Sequence, residues 1–437
     1  MFVKSVTIEN LKGFKDLHFD FERPDGSYPG WTIFVGGNAS GKSSLLKGIS
    51  LALMGPDAGR QLLGSTVGWI HNEERRAEAK LNLVWDNEHD TFKLGGNLPR
   101  GSFEASVRWV IENKETSIPL FRSVEKRNAR GTRIQTPERG PWSANSAGWF
   151  SAGYGPMRRL SGSSSESIRY TVGGGVITRF VTLFREDAAL SESESWLKTN
   201  HSRYLETQRQ EIQELVQGVS ALLSDNLLPN NMKISRVTVD HVFIIDANEV
   251  ELPMRDISDG CRSIYATLLD LVHGMYEVYG IEGLFQYKDN GGVVVNRPGV
   301  VLIDEIESHL HPEWQRNIGF WLKNHFPNVQ FLVTTHSPLI CQAADENGIF
   351  VLPEPGIDQP PQPLSMEDYR KVIASRPDTI LLTPAFGLKN TRSPIAVEAR
   401  AELSKLKAKK RAGGKLTGEE EKKGKQLLLF ETNEEDL

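Results

Sequence analysis

The chain has 437 residues, of which 39% are hydrophobic and 24% are charged, and its formal net charge is -5. This length exceeds one ordinary domain, and the composition is that of a globular protein with a buried core. The charge excludes a generally basic nucleic-acid binder but leaves a local basic patch open. The two cysteines, Cys261 and Cys341, give neither a disulfide framework nor a zinc spacing.

The first residues alternate like a strand, and no run reaches the roughly 18 apolar residues that a membrane span needs. We therefore expect a soluble, cytoplasmic protein without a membrane partner. Phe2 to Ile8 and Leu17 to Phe21 predict two strands. Lys12 and Lys15 lie between them, either at a solvated hairpin tip or within reach of a ligand.

The most informative stretch is residues 32–53, TIFVGGNASGKSSLLKGISLAL, in which an apolar β-type run is followed by a glycine loop and a helical pattern. In this order G-x-x-x-x-G-K-S predicts a phosphate-binding loop, because glycines let backbone N–H groups approach phosphate oxygens and the helix adds its positive end. Lys42 is expected to bridge the β- and γ-phosphates of a nucleotide, and Ser43 to bind Mg²⁺. The predicted nucleotide-binding residues are Gly36, Gly37, Asn38, Ala39, Ser40, Gly41, Lys42, Ser43 and Ser44.

Alternating patterns at Lys80 to Trp85 and Glu104 to Ile111 predict antiparallel strands beside the nucleotide-binding sheet. Residues 125–145, rich in Arg, Gly and Pro, predict a mobile loop that is either solvated or in contact with DNA. Tyr154-Gly155-Pro156 predicts a sharp turn. The helical pattern from Val176 to Leu223 is too short for sustained heptads, which favours a compact helical lobe over a coiled-coil arm.

A second anion site is predicted by RDISDGCRSIYATLLDLVHGM, which follows a predicted hairpin over Val237 to Leu252. Ser258 is placed to cap a helix that begins at Asp259 or Gly260, and a free helix N-terminus attracts anions. Alone, this pattern also describes an ordinary capped helix. The predicted buried stripe of the helix is Ile264, Leu268, Leu271, Val272 and Met275.

Two later strands end in polar residues that complete the predicted chemistry. Val300 to Ile303 ends in Asp304-Glu305, and two carboxylates at the end of a buried strand require compensation. A Mg²⁺ ion would compensate them, with Asp304 as a metal ligand and Glu305 facing an attacking water. Val329 to Val333 is followed closely by His336, which is expected to contact the γ-phosphate or that water.

The strings GGNASGKSS, ISDG, VVLIDE and TTHS, in this order, resemble the Walker A, signature, Walker B and switch-histidine elements of the ABC-type ATPase superfamily. They are most similar to its soluble branch, which includes the RecF, SMC and OLD-type ATPases. IDEIESHLHPEWQ is similar to the OLD-like version and unlike the S-A-L-D segment of transporter ATPases. The resemblance implies an α/β fold, a head with a mixed sheet and a helical signature lobe, that hydrolyses ATP with Mg²⁺.

The same resemblance assigns roles to residues. It implies that Lys42, Glu305 and His336 are catalytic. Heads of this superfamily pair head to tail, so the chain is expected to form a homodimer or a higher homo-oligomer with ATP between the copies. The residues that would contact the nucleotide of the neighbouring copy are Ser258, Asp259 and Gly260.

Some positions depart from the family pattern. Asp259 stands where many relatives have glycine. No glutamine is assigned to the Q-loop: Gln135 is one candidate, and the turn that carries Arg158 is another. His309 and His311 are interpreted as helix-start and dimer-contact residues, with a metal pair as the alternative. No D-x-D cluster of a nuclease domain is present in the C-terminal part, so cleavage of nucleic acid would require another protein.

The C-terminal part is predicted to be a separate extension. Ser365 to Ala374 predicts a helix and Ile380 to Leu382 an extended segment. A helical hairpin follows, in which Ser393 caps the first helix and Thr417 with Glu420 forms a capping box for the second. The predicted apolar stripe of the first helix is Ile395, Ala399, Leu403 and Leu406.

The basic segment KLKAKKRAGGK within this hairpin is either a solvated helix face or a nucleic-acid contact. FGLKNTRSP before the hairpin, together with the compact head, is similar to the ATPase subunit of Septu-type antiphage systems. That resemblance implies an HNH nuclease as partner.

We divide the chain into an ABC-type ATPase head, residues 1–363, and a C-terminal helical extension, residues 364–437. Within the head, residues 1–150 would bind nucleotide, 151–290 would form the helical signature lobe, and 291–363 would carry the Walker B and switch-histidine elements. The leading hypothesis is an ATPase that dimerises around ATP and regulates or scaffolds an HNH nuclease in antiphage defence. The alternatives are a RecF- or SMC-like DNA repair ATPase that binds DNA directly, and the ATPase subunit of a transporter.

Overall fold

The β-type runs of the sequence form strands of five sheets in the described part of the chain. The computed structural model describes the chain except residues 73, 93–97, 100, 113–117, 129, 135, 144–146, 161, 165–166, 169, 171–173, 228–231, 290, 358–359 and 429–437. The strands are β1 (Phe2–Leu11), β2 (Phe14–Asp20), β3 (Gly30–Val35), β4 (Arg76–Val84), β5 (Phe103–Val110), β6 (Leu120–Ser123), β7 (Lys126–Arg127), β8 (Arg133–Ile134), β9 (Ser151–Tyr154), β10 (Lys233–Val237), β11 (Val242–Ile245), β12 (Glu251–Pro253), β13 (Phe285–Tyr287), β14 (Val293–Val295), β15 (Gly299–Ile303), β16 (Val329–Thr334), β17 (Ile349–Val351) and β18 (Gln362–Pro363).

Helices connect these strands, and they make up most of residues 178–224. No described helix is long and apolar enough to cross a membrane. Short 3₁₀ turns occur at Thr178–Phe180 and Met254–Asp256. The α-helices are α1 (Lys42–Leu63), α2 (Thr136–Arg139), α3 (Val181–Phe184), α4 (Ser191–Thr207), α5 (Gln210–Ser224), α6 (Asp259–Tyr279), α7 (Pro312–His325), α8 (Pro338–Cys341), α9 (Met366–Ala374), α10 (Pro377–Leu381), α11 (Pro394–Arg411) and α12 (Gly418–Leu427).

The central sheet has the strand order β18-β17-β3-β16-β15-β9. The five strands from β17 to β9 are parallel, and only β18 at the edge is antiparallel. Ile33, Val333 and Ile303 are paired with one another across β3, β16 and β15, so these strands end at nearly the same level. The residues that follow them therefore meet at one carboxyl edge, where ligands bind in open parallel sheets.

A core covers each face of the central sheet, as expected for parallel strands. Side chains alternate between the faces. Ile33 and Val35 pack towards the helices α4 to α7, whereas Phe34 packs towards α1 and the antiparallel sheet β2-β1-β4-β5-β6. The buried amide of Gln330 on β16 joins the two sheets, because it accepts from Val3 N at 2.7 Å and donates to Val3 O at 2.8 Å.

Most elements predicted from the sequence are confirmed. The strands predicted at the N-terminus, at residues 80–85 and 104–111, and at 300–303 and 329–333 are β1, β2, β4, β5, β15 and β16. The hairpin predicted over 237–252 is β11 and β12, to which β10 adds a third strand. Helices α4 and α5 pack against each other, and α4 also packs against α6, which confirms a compact helical lobe. The predicted stripe of α6 is buried.

One strand was not predicted: residues 151–154 form β9, because their backbones complete the sheet beside β15. Two predictions were wrong. The described part of residues 125–145 is not a plain loop but contains the small hairpin β7–β8 and the helical turn α2. Residues 380 and 381 are helical rather than extended, since Pro377 begins α10 and Ile380 is buried.

The C-terminal part has two sections with different surroundings. Val372 of α9, Ile380 of α10 and Ala385 belong to the core on the helical side of the central sheet. The helices α11 and α12 form the predicted hairpin, with the Ser393 cap and the capping box both present. The predicted stripe of α11 is only partly buried, because Ile395 is 68% exposed. The hairpin therefore presents apolar surface to solvent.

A buried polar network joins the helical lobe to β9. Asp270 of α6 accepts hydrogen bonds from Tyr154 Oη at 3.0 Å and from Ser193 Oγ at 2.8 Å. Burial raises the pKa of Asp270 to about 6, although both hydroxyls and the positive charge of Arg179 lower it, and the negative charge of Glu277 raises it further. The ionised carboxylate is thus less stable in the folded protein than in water.

The stability of the fold should therefore fall as the pH rises through the pKa of Asp270. A raised folded-state pKa contributes stability below the unfolded pKa of about 3.9, and this contribution, about 3 kcal/mol at most, is lost above pH 6. Asp270→Asn should show a smaller decrease of Tm between pH 4 and pH 7 than the wild type, measured by circular dichroism. Asp57→Asn, at an exposed position, is the control. Equal pH dependence of Asp270→Asn and wild type would contradict this expectation.

Candidate active site

The predicted phosphate loop, residues 36–41, lies between β3 and α1, at the carboxyl edge of the central sheet. Gly41 has a φ of 89°, and a Cβ atom there would lie 2.4 Å from Cζ of Phe14. A Cβ atom on Gly36 would lie 2.6 Å from Oγ of Ser40. Both positions lack space for a side chain, and Gly41 also needs a left-handed backbone. Residues 37–39 are exposed, which leaves the loop open to a ligand.

Lys42, the first residue of α1, turns its side chain back over the loop. Its Nζ donates to the carbonyl oxygens of Gly36 and Gly37, both at 3.0 Å. Burial lowers the pKa of Lys42, and the negative charges of Asp304 and Glu305 oppose that shift. The ammonium group therefore lies in the electric field of the carboxylates that follow β15. Ser43 and Ser44, the next residues of α1, are half-buried.

Asp304 is 1% exposed at the end of β15. Its Oδ1 accepts from Oγ1 of Thr334 at 2.5 Å, and the same hydroxyl oxygen accepts from the backbone N–H of Glu305 at 2.8 Å. Thr334 thus joins the ends of β15 and β16. Within the described chain, no hydrogen bond engages Oδ2 of Asp304. One oxygen of this carboxylate is therefore oriented by Thr334, and the other is free to bind a ligand.

Glu305 begins the loop after β15 with a φ of 46°, an uncommon backbone conformation for a residue with a side chain. Its Oε2 accepts from Ser308 Oγ at 3.3 Å, which is a long hydrogen bond. The half-buried carboxylate is therefore only loosely held. It differs in this respect from Asp304, whose orientation is set.

Glu307 holds the loop that carries the switch histidine. Its Oε2 accepts from Oγ1 of Thr335 at 2.7 Å, and its Oε1 accepts from the backbone N–H of His336 at 2.5 Å. The ring of His336 is exposed at the same edge. No role for Thr334 or Glu307 was predicted from the sequence, although the E-x-E spacing and the threonine pair before the histidine were available as signals.

Ser258 occupies the N-cap position of α6, as predicted, but its side chain does not cap the helix. Its Oγ instead lies 2.9 Å from Sγ of Cys261. Gly260 packs against the loop after β15, since a Cβ atom there would lie 2.4 Å from the carbonyl oxygen of His309. The start of α6 therefore has free backbone N–H groups beside that loop.

Asp259 pairs with Arg262 one turn along α6, and Arg262 also donates to the carbonyl oxygen of Arg255 at 2.7 Å. The carboxylate that departs from the family pattern is thus partly neutralised within the chain. Ser258 and Asp259 are exposed. No hydrogen bond or ion pair in the described part connects residues 258–260 to the phosphate loop.

The two histidines of the SHLHP segment mark the start of α7. His311 is the N-cap residue, and its Nδ1 is 3.4 Å from the backbone N of Glu313. His309 has a φ of 68° and is exposed. No group of three His, Cys, Asp or Glu side chains that could hold a metal occurs among the described residues. The helix-start interpretation agrees with this geometry.

The turn after β9 brings Arg158 to the loop that follows β15. Its guanidinium donates to the carbonyl oxygen of Asp304 at 2.8 Å. Gln135, the other candidate for the Q-loop, lies outside the described residues.

Lys12, at the tip of the β1–β2 hairpin, lies with its ammonium nitrogen 4.4 Å from the ring centre of Trp69, and burial lowers the pKa of Lys12.

The structure brings together the residues predicted from three separate strings. Lys42 and Ser43 begin α1, Asp304 and Glu305 follow β15, and His336 follows β16, all at one sheet edge. Gly260, one of the predicted signature residues, packs against His309, which is on the loop after β15. The arrangement offers an anion-binding loop, one oriented carboxylate oxygen and one loosely held carboxylate. Such a set can bind a phosphate with a cation and accept a proton from water.

Family models and known proteins show what the chain is similar to. An AAA-domain family model matches residues 5–237, more than half of the chain, and a second AAA-domain model matches residues 179–342. "Septu protein PtuA" of Bacillus mycoides (strain KBAB4) is 26% identical over 353 residues, which cover 81% of this chain and 40% of that protein.

Two further relatives have similar names. "Septu protein PtuA" of Bacillus thuringiensis is 32% identical over 192 residues, which cover 41% of this chain and 43% of that protein. "Retron Vc95 probable ATPase" of Vibrio cholerae serotype O1 biovar El Tor is 24% identical over 415 residues, which cover 80% of this chain and 73% of that protein. The match thus spans less than half the length of each of these two Septu proteins.

Proposed function

The chain belongs to the AAA-domain family, and from this premise we propose that it is an ABC-type ATPase whose ATP lies between two copies of itself. The observation that carries the proposal is the convergence of the phosphate loop, Asp304 with Glu305, and His336 at one edge of a parallel sheet. Strings separated by more than 250 residues in the sequence meet there. A nucleoside triphosphate is the ligand that would engage the loop, the two carboxylates and the histidine together.

ATP would bind through the N–H groups of residues 36–41 and through the side chain of Lys42. Ser44, in the first turn of α1, would also contact the nucleotide. The donor set also fits Mg²⁺, because hydroxyl and carboxylate oxygens are its preferred ligands and Ser43 and Asp304 supply one each. The free Oδ2 of Asp304 supports this fit. Bound Mg²⁺ would neutralise phosphate charge. The buried hydroxyl of Ser40, which has no partner among the described residues, supports a loop shaped for a ligand.

Glu305 is the residue we assign as the base. A general base must reach a water molecule and accept its proton, and a loosely held carboxylate beside the phosphate loop can do both. His336 is exposed at the same edge, where its ring can contact the γ-phosphate or the attacking water. Glu307 holds the backbone of His336 and so positions that ring.

The second half of the site comes from a neighbouring copy in this proposal. Ser258, Asp259 and Gly260 lie at a helix N-terminus, which attracts anions. Ser258 and Asp259 are exposed, and in the described part they make no hydrogen bond to the chain's own phosphate loop. Pairing two copies head to tail would place each signature helix over the other copy's nucleotide, so ATP would stabilise the dimer.

Mixing two defective variants tests this arrangement. Lys42→Ala damages the phosphate loop and Ser258→Arg blocks the signature, so each variant alone should lose ATP-dependent dimers and hydrolysis. In a mixed dimer one site has both halves intact and the other has both damaged. Equal mixing should therefore restore hydrolysis to about one quarter of the wild-type rate, since half of the dimers are mixed and each has one good site. Hydrolysis and size-exclusion chromatography with ATP would measure the recovery.

A mixture of Lys42→Ala with the wild type is the control, because it shows how far hydrolysis falls when active copies are only diluted by inactive ones. If the mixture of Lys42→Ala and Ser258→Arg shows neither dimers nor hydrolysis, the site is not shared between copies. If Ser258→Arg alone is as active as the wild type, the signature residues do not contact the nucleotide.

We further propose that the ATPase regulates or scaffolds an HNH nuclease in antiphage defence. The names of two relatives support defence, and the hairpin α11–α12 supports a partner. It carries ten lysines and arginines against five glutamates between residues 393 and 428, and it exposes Ile395. The division into a head, residues 1–363, and an extension, residues 364–437, belongs to this proposal.

The purified ATPase and an HNH nuclease encoded in the same genome should form one complex in size-exclusion chromatography. ATPase that lacks residues 393–437 provides the test of the hairpin. A nuclease that does not bind the full chain, together with hydrolysis stimulated by DNA alone, would instead favour the repair ATPase that binds DNA directly.

A further inference from the structure

Arg158 is a fully buried cation that binds backbone rather than side chains. It is 5% exposed, and its Nη1 donates to the carbonyl oxygens of Gly155 and Asp304, both at 2.8 Å. Its Nη2 donates to the carbonyl oxygens of Glu305 and Ile306, both at 3.2 Å. One guanidinium group therefore serves four acceptors, three of which belong to the loop that carries the two carboxylates.

These carbonyl groups need a donor because the strand ladder ends there. The N–H of Asp304 still donates to Tyr154 O at 2.8 Å, as part of the pairing of β9 with β15. Beyond that point the N–H groups of Glu305 and Ile306 turn to Thr334, on β16. Buried carbonyl groups without partners are costly, so Arg158 satisfies what the sheet leaves unpaired.

Thr334 and Arg158 thus hold the loop from two directions. Thr334 binds the N–H of Glu305 and the side chain of Asp304, whereas Arg158 binds the carbonyl groups of residues 304–306. The N–H and the carbonyl group of Glu305 are therefore both held by hydrogen bonds, which explains how this residue keeps a φ of 46°. The direction of its side chain follows from that backbone.

The charge of Arg158 persists in this position. Burial lowers its pKa to about 10, and the negative charges of Glu307, Asp304 and Glu305 oppose that shift. The group is therefore protonated at neutral pH. Lysine could not replace it, because an ammonium group on a single stem cannot reach carbonyl groups on both sides of a planar fork.

We propose that Arg158 is a positioning residue that aims the carboxylates of Asp304 and Glu305 at the nucleotide by holding the carbonyl groups of their loop. The inference rests on the proposed ATPase function. Arg158 also lies four residues after Tyr154, the last residue of β9, and the Tyr154 hydroxyl donates to Asp270 of α6. A shift of the signature helix α6 would thus be transmitted through β9 to the position of the catalytic loop.

The test compares Arg158→Lys with Arg159→Lys, which changes the exposed neighbouring arginine in the same way. ATP affinity in EDTA reports on the phosphate loop and should be unchanged in Arg158→Lys. The gain in affinity on adding Mg²⁺ reports on Asp304 and should be smaller than in the wild type. The kcat should fall about 10- to 100-fold with little change in KM, because a misplacement of about 1 Å costs up to 10²-fold. Arg159→Lys should match the wild type in all three measurements.

A second variant separates positioning from folding. In Arg158→Ala, free guanidinium at concentrations well below those that unfold proteins should restore part of kcat, and sodium chloride of equal ionic strength should not. If Arg158→Lys keeps both the wild-type kcat and the wild-type gain from Mg²⁺, Arg158 does not position the loop. If Arg158→Lys loses affinity already in EDTA, its role is structural and the inference is wrong. Failure of the wild type to hydrolyse ATP would instead contradict the proposed function.

Discussion

Glu305→Gln should slow ATP hydrolysis by about 10²- to 10⁴-fold, the usual contribution of a general base, while ATP remains bound. Glutamine keeps the size of the side chain and its bond to Ser308, but its amide cannot take a proton from water. Dimers that form on ATP should therefore persist. Their lifetime should lengthen in proportion to the loss of turnover, if hydrolysis is what separates the copies.

Phosphate release under single-turnover conditions and size-exclusion chromatography with ATP would measure these two effects. Glu313→Gln is the matched control, because Glu313 is an exposed glutamate in the first turn of α7. It should hydrolyse ATP at the wild-type rate. Wild-type turnover in Glu305→Gln would assign the base to another residue, and Glu307 is the next glutamate in the sequence.

Lys42→Ala should weaken ATP binding by about 10- to 100-fold, because a hydrogen bond to a charged group contributes about 1.5–3 kcal/mol and each 1.4 kcal/mol is tenfold in affinity. In the described structure the ammonium group already lies at the loop, where it donates to Gly36 and Gly37. Phosphate oxygens would compete with these carbonyl groups. The variant should also fail to form ATP-dependent dimers.

Equilibrium binding of a fluorescent ATP analogue would measure the loss. Lys47→Ala is the control on the same helix, since the ammonium group of Lys47 lies 5.9 Å from the ring centre of Phe184 and away from the loop carbonyls. Thermal melting without nucleotide shows whether either variant is folded. Unchanged affinity in a folded Lys42→Ala protein would contradict the assignment of the phosphate loop.

Local patterns were sufficient for the elements that carry the chemistry. Residues 33–35, 300–303 and 331–333 are continuous apolar runs, and such runs become strands buried on both faces. The glycine loop and the start of α1 are adjacent in the chain, so their geometry depends on a few neighbouring residues. The Thr417–Glu420 capping box was predictable for the same reason.

Distant contacts were not predictable in this way. The segment 151–154 has only four residues, including a serine and a glycine, so its sequence does not predict a strand. It forms one because β15 offers an unpaired edge. Ser258 occupies the predicted cap position, but its hydroxyl turns to Cys261. In the C-terminal part, Pro377 begins a helical turn that buries Ile380 in the core on the helical side of the central sheet, where the sequence predicted an extended segment.

The sequence by itself was sufficient to locate the glycine loop, the two carboxylates and the histidine at the ends of strands, because these positions depend on hydrophobic periodicity and on backbone requirements within about ten residues. Only the tertiary structure decided how these groups are held. Arg158 lies 146 residues before Asp304, and Glu307 lies 29 residues before His336. Hydrogen bonds of this kind join a side chain to a distant backbone group, and the order of strands in the sheet brings the two together. No local pattern encodes that order.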